Sequence, residues 1–308
     1  MVSMQAPHQD GPLAARQLLF VGRTTLDLLY RLDALPEEDT KIFAQHLHVA
    51  PGGPATNAAI TASLLGSQVT LLSALGSSLW ADAVRCKLAR HQIQHCDLAA
   101  GTGFEMPIAS VMVNQSSGSR TALNPPLDAT LLPTIEHLQA PLPAAILTDG
   151  FHLAETLPLL RQLHQQNLPI VLDGGSWKPH TEDLAPLLDA VICGERFRIP
   201  GQEPTHEAVF AWFRQQGVPR IAITRGPQPI LAWDSGRSFE IAVEPVSSAD
   251  TLGAGDVLHG AFLHHYAAGC SFETALRRGS ALASESCRGI GVEAWHSDPG
   301  LQASDIKR

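Results

Sequence analysis

A chain of 308 residues with 44% hydrophobic and 17% charged side chains can bury a full core, and its net charge of −9 argues against a nucleic-acid partner. No apolar run approaches the ~20 residues that cross a bilayer, and five scattered cysteines without a CxxC suit reduced thiols better than disulfides or zinc. A soluble, cytoplasmic protein that meets a small ligand is expected.

Residues 1–16, beginning "MVSMQAPHQDGP", lack a basic n-region and an apolar core, and read as a disordered tail. The domain proper spans 17–308. From "QLLFVG" onward, short apolar runs alternate with helical patterns: "NAAITASLLG", "VTLLSAL", "WADAVRCKLARHQ", "AAILTDG", "TLPLLRQLHQQ", "PIVLDGG", "DAVICGE", "EAVFAWFRQQG" and "RIAITRG". This rhythm predicts an α/β fold with a mostly parallel central sheet flanked by helices, its ligand sites at the carboxyl ends of the strands. Two stretches break it, about 27–50 and 104–124, and read as extended strands with a "SSGS" hairpin turn. They predict a small β sheet placed over the strand ends as a lid. His46/His48 and His259/His264/His265 lack the HExxH arrangement, so no transition-metal site is expected.

Four polar stretches fall where such a fold gathers ligands. Asp27, in "GRTTLD", follows the first strand. "PGGPATNAA" gives a glycine turn and puts Asn57 in the first turn of a helix, where asparagine alone is an ordinary cap. "ITRG", Ile223 to Gly226, ends a late strand. "DTLGAGD", Asp250 to Asp256, precedes the apolar helix "VLHGAFLHHYAAG". At a helix mouth the first amides are unpaired and the macrodipole is positive, so glycines there bare N–H groups to an anion. The same letters also describe a capped helix after a turn, and no GxxxxGK[ST] supports a P-loop.

Taken in order, "GRTTLD", "PGGPATNAA", "TRG" and "DTLGAGD" resemble the ribokinase-like, or pfkB, family of carbohydrate kinases over roughly Gln17 to Glu293. Within it, "VNQSSGSRTAL", "DTLGAGD" and "ALRRGSALASESC" look most like the ketohexokinases. The resemblance implies a ribokinase-like fold and ATP-dependent phosphoryl transfer to a sugar hydroxyl. On this reading Asp256 is the catalytic base, and the amides of Gly253, Ala254 and Gly255 hold the phosphoryl group. Asp27, Gly53 and Asn57 hold the sugar, while Thr224, Gly226 and the segment 280–291 border the nucleotide. Arg120 either reaches from the lid to the ligands or is a solvated hairpin charge. Mg²⁺ is implied, without a ligand set, as is in some relatives a monovalent cation such as K⁺, held by the segment 280–291 and the residues flanking "DT". Pairing of lids between two subunits implies a homodimer.

The chain departs from the pattern at three places. Gly194 and Phe197 stand where many members carry the Asn and Glu of an N-x-x-E motif, leaving Glu195 as a substitute acid or a surface residue. Pro54 stands where the ketohexokinases have a sugar-contacting asparagine, and Pro229 replaces a glycine of the nucleotide loop. Besides the sugar kinase, a nucleoside kinase of the same superfamily and a catalytically degenerate sugar-binding regulator remain open. With only 6% aromatic residues, the chain offers few walls for a base.

Overall fold

A computed structural model describes residues 16–114, 120–126, 128–246, 251–289, 291–293 and 295–296. The tail at 1–15, the "SSGS" turn and Asp250 lie outside the described residues, as does the side chain of Arg120.

The first strand, β1 (Gln17–Val21), is apolar after its first residue because both faces of the sheet are covered. The chain then leaves the main sheet for β2 (Thr25–Leu32) and β3 (His46–Gly52), and returns through α1 (Pro54–Leu64), β4 (Gln68–Ser73), α2 (Leu79–Arg90) and β5 (Ile93–Asp97). A second excursion forms β6 (Ile108–Asn114) and β7 (Arg120–Leu123). Strand and helix alternate again through β8 (Ala145–Thr148), α3 (Leu153–Gln165), β9 (Ile170–Gly174), α4 (Thr181–Leu184), β10 (Ala190–Gly194), α5 (His206–Gln215) and β11 (Arg220–Arg225). The β12 (Gln228–Asp234) and β13 (Arg237–Ile241) hairpin closes one edge, before α6 (Ala254–Ala267) and α7 (Phe272–Ser286).

The main sheet is nine-stranded, in the order β13-β12-β11-β10-β9-β8-β1-β4-β5, and β12 alone runs against the other strands. From β1 the chain builds outward through β4 and β5, then restarts on the other side of β1 at β8. The loops after β1 and β8 therefore diverge at a topological switch point, which opens a crevice at the strand ends. The two excursions join in a four-stranded sheet, β3-β2-β6-β7, with β2 and β6 parallel and the outer pairs antiparallel. Its strands are shorter than the stretches 27–50 and 104–124 suggested. Residues 33–45, with Pro36 among them, form a connection without strand structure.

Helices α1, α6 and α7 pack together over one face of the main sheet. Their closeness is set at Gly260, where an added Cβ would stand 2.3 Å from the Ala58 carbonyl and 2.8 Å from the Thr61 Cβ. Alanines 55, 58, 59 and 62 of α1 are fully buried beside it. Small residues at this crossing bring the first turns of α1 and α6 together, and with them Asn57 and Asp256.

Candidate active site

Asn57 is not a cap. Gly53 precedes α1 without a side-chain cap, and Asn57 Nδ2 instead donates to Asp256 Oδ2 at 2.7 Å, joining residues 199 positions apart. Asp256 keeps one edge open to the crevice, yet so much protein surrounds its carboxyl that burial pushes its pKa well above the usual carboxylate range. The charge of Asp173 pushes the same way, and the Asn57 hydrogen bond opposes both. The group is thus held as a base of raised affinity for a proton.

At the mouth of α6 only Gly253 makes the turn, with φ +76° and room for a Cβ denied by Val292 Cγ1 at 2.4 Å. Gly255, expected to turn as well, is already helical, and a Cβ there would meet nothing within 4 Å. Its lack of a side chain leaves the helix end bare instead. No side chain caps that end, and although the Ala254 amide reaches the Thr251 carbonyl at a long 3.5 Å, the Gly255 amide has the helix dipole behind it and no capping side chain in front.

Asp27 sits inside β2 rather than at the carboxyl end of a main-sheet strand, where its place after β1 suggested. Thr25 Oγ1 donates to its Oδ1 at 2.5 Å, and burial raises its pKa against the opposing effects of that bond and of Arg23. Across from it, β3 brings Gly52 so close that a Cβ would lie 2.0 Å from Asp27 Oδ2. Gly53 has φ +96° and presses on the Arg23 carbonyl, 2.2 Å from where its Cβ would be. The glycine pair is the clamp that seats the small sheet, with its aspartate, against the start of α1.

Thr224 ends β11, but its hydroxyl donates to the Cys193 carbonyl of neighbouring β10 at 3.3 Å. Gly226 turns the chain at φ +59°, and Arg225 folds back to donate Nε to the Pro229 carbonyl at 2.8 Å. The side chain of Pro229 therefore replaces a glycine while its carbonyl staples the turn. Phe197, in place of the motif glutamate, is buried against Trp177 and Phe213, at ring distances of 6.3 and 5.9 Å. Glu195 is exposed, and is the surface residue of the two readings.

Two further acids converge here without having been singled out from sequence. Asp149, just past β8, accepts from the backbone amides of Arg23 at 2.9 Å, Ala55 at 3.1 Å and Phe151 at 3.0 Å. Burial still drives its pKa up to about 7. Asp173 closes on His259 Nδ1 at 3.4 Å, while that ring also meets the Gly255 carbonyl at 2.7 Å and the Ile192 carbonyl at 3.2 Å. Both acids end buried apolar runs, "AILTDG" and "IVLDGG", so an acid directly after such a strand was the available signal.

The charge of Asp173 raises the proton affinity of both Asp149 and Asp256, and Asp149 adds to the effect on Asp256. Mg²⁺ usually binds one or two carboxylates together with substrate phosphates, and Asp173, whose partner His259 also meets the Gly255 carbonyl in the first turn of α6, is the acid there that does not serve as the base. Among the described residues no group of three or more His, Cys, Asp or Glu is arranged to hold a metal alone.

A profile of the pfkB family carbohydrate kinase matches residues 15–297. The chain belongs to the pfkB family of carbohydrate kinases. Ketohexokinase of Mus musculus is 25% identical over 297 residues, covering 88% of this chain and 96% of its own. Ribokinase of Bacillus subtilis (strain 168) is 24% identical over 291 residues, covering 90% and 95%. In fold, the chain superposes on the Arabidopsis thaliana ribokinase solved with ribose and ATP at a TM-score of 0.76, with 20% identity and 95% and 97% coverage. The fold is ribokinase-like, and the family makes this pfkB kinase an ATP-dependent sugar kinase.

The raised pKa of Asp256 predicts a pH profile. A base must be ionised, so kcat/KM falls as pH drops through that pKa, and the ascending limb should lie above the ~4 of an ordinary aspartate. Asn57→Ala removes the contact that favours the carboxylate and should move the limb to still higher pH. A limb left in place by that substitution would contradict the coupling.

Proposed function

We propose that this kinase transfers the γ-phosphoryl group of ATP to a sugar hydroxyl with Asp256 as general base. The observation that carries this is the Asn57–Asp256 hydrogen bond, which aims the carboxylate into the crevice beside the bare end of α6. The sugar hydroxyl attacks the γ-phosphorus as its proton passes to Asp256, and the bond to the bridging oxygen of ADP breaks. Amides of Gly253, Ala254 and Gly255 receive the equatorial oxygens as charge moves among them. Asp27, Gly53 and Asn57 hold the sugar, and Thr224 and Gly226 border the nucleotide. The Thr224 hydroxyl is engaged with Cys193, so its backbone and the Gly226 turn would form that border. Asp173 and the phosphates would hold Mg²⁺, which supplies neutralisation of phosphate charge when bound, leaving Asp256 to the proton.

A ketohexokinase-like acceptor is the narrower reading, supported by the local motifs and by the mouse relative. Steady-state kinetics over D-fructose, D-ribose and adenosine tests the class. Sugars should give the higher kcat/KM. A nucleoside giving the highest value would replace the sugar reading, and no acceptor at all would favour a binding protein without turnover.

The small sheet is proposed to act as a lid and to pair between two subunits. Its outer surface leaves Leu47 and Leu123 more than half exposed, and Phe43 in the adjoining connection is 87% exposed. Apolar patches of this sort on an open sheet are usually covered. Sedimentation at micromolar concentration should show a dimer, and a monomer would count against pairing. Among the described residues no helix is long and apolar enough to cross a membrane, and the cysteines are free. A cytoplasmic location is the matching proposal.

A further inference from the structure

At the switch point two cations are left over. The Arg23 guanidinium carbon lies 5.2 Å from the centroid of the Phe151 ring, and Lys178 Nζ lies 4.4 Å from the same centroid. One ring thus gathers both charges. Arg23 is held by its backbone at both ends, its N–H on Asp149 Oδ2 at 2.9 Å and its carbonyl accepting from Thr56 Oγ1 at 3.2 Å. Its carbonyl is also the atom pressed by Gly53 in the sugar clamp. The side chain is therefore fixed to the sugar pocket by construction.

The pocket's acids act on these cations only at a distance, Asp149 and Asp27 on Arg23 and Asp149 and Asp173 on Lys178, and among the described residues no carboxylate accepts a hydrogen bond from either side chain. Asp149 is served by three backbone amides, Asp27 by Thr25, Asp256 by Asn57, and Asp173 by His259. Among the described residues Lys178 Nζ donates only to Ser176. Arg23 Nε and Nη2 are buried and have no hydrogen-bond partner, and His152 Nδ1 is likewise buried without one. Burial and the Arg23 charge push the His152 pKa down to about 4, so the ring adds no positive charge at neutral pH. Arg23 as a whole is half-buried, but leaving its Nε and Nη2 hydrogens buried without an acceptor is costly, and a chain retains such donors when a ligand supplies the missing acceptor.

We propose that Arg23 and Lys178 form an anion subsite of the sugar pocket, and that the phosphoryl acceptor is a sugar bearing a carboxylate or phosphate group seated against them. This rests on the sugar-kinase reading. The γ-phosphate of ATP is the other anion two cations could meet. Position favours the sugar, because Arg23 acts on Asp27 and Asp149 and is built into the Gly53 turn, whereas the phosphate has the amides at the mouth of α6. A carboxylate or phosphate would accept from Arg23 in forked geometry and from Lys178 as a point charge.

The test uses the full chain with ATP and matched acceptors: D-fructose against D-fructose 6-phosphate, and D-fructose against 2-keto-D-gluconate. At least one anionic acceptor should exceed D-fructose in kcat/KM. Arg23→Gln and Lys178→Met should each lower that value by about 10- to 10²-fold, the span for a lost charge-assisted hydrogen bond. The loss with the anionic acceptor should exceed any loss with D-fructose by that factor, and the KM for ATP should stay within about twofold. Removing an unpaired buried cation should leave the melting temperature unchanged or higher, and Lys178→Met carries the test alone if the Arg23 variant does not fold. D-fructose outperforming both anionic acceptors overturns the proposal and leaves the sugar-kinase reading intact. So does a rise in the KM for ATP with acceptor preference unmoved, which would assign the cations to the nucleotide. Failure of every sugar to accept phosphate overturns the sugar-kinase reading and this proposal with it.

Discussion

Asp256→Asn should lower kcat by about 10²- to 10⁴-fold, or roughly 3 to 5 kcal/mol of barrier, while sugar and ATP affinities change little. The amide matches the carboxylate in size and can still receive the Asn57 Nδ2 hydrogen at its oxygen, so the contact at 2.7 Å has a replacement. What it cannot do is take a proton, and the hydroxyl must attack still protonated. The variant should also be no less stable, because burial and the charge of Asp173 both disfavour the carboxylate it removes. If Asp256 served only the helix end, the loss would be ~0.3–1 kcal/mol of stability with turnover intact. Steady-state kinetics, calorimetric titration of both ligands and a melting curve separate the two outcomes.

Gly52→Ala should lower kcat/KM for the sugar by about 10- to 10²-fold, the span for losing a hydrogen bond to a charged acceptor, with the KM for ATP unmoved. The new methyl would fall 2.0 Å from Asp27 Oδ2 and 2.2 Å from its Cγ, where no carbon can stand. Asp27 must swing aside, breaking the 2.5 Å bond from Thr25 and withdrawing the acceptor from the sugar hydroxyls. Asp27→Asn should show a loss of the same sign without the steric push. A folded Gly52→Ala protein with normal sugar KM would remove Asp27 from the sugar site.

Much of this was legible where the chemistry is contiguous. Gly253 to Asp256 occupy a single turn, so "LGAGD" displays both the bare helix mouth and the acid within it. Strand and helix alternation was equally open, since a parallel sheet buries both faces and its strands read as apolar runs. Pairings at long range were not. Asn57 looks like any cap until Gly260 draws α6 onto α1 and turns it toward Asp256. Nor does the sequence show that the register of β11 on β10 points the Thr224 hydroxyl at the Cys193 carbonyl, leaving its backbone for any border with the nucleotide. Arg23 stood in a motif read for its aspartate, and its unmatched charge appears only when Phe151 and Lys178 arrive from two other strand ends.

The central claim is phosphoryl transfer to a sugar, and following the γ-phosphoryl label of ATP to its product tests it most directly. With a sugar panel and Mg²⁺, the label should appear on a sugar hydroxyl with the wild-type chain, and at a rate lower by about 10²-fold or more with Asp256→Asn. Label recovered only as inorganic phosphate, or on a nucleoside, would contradict the account.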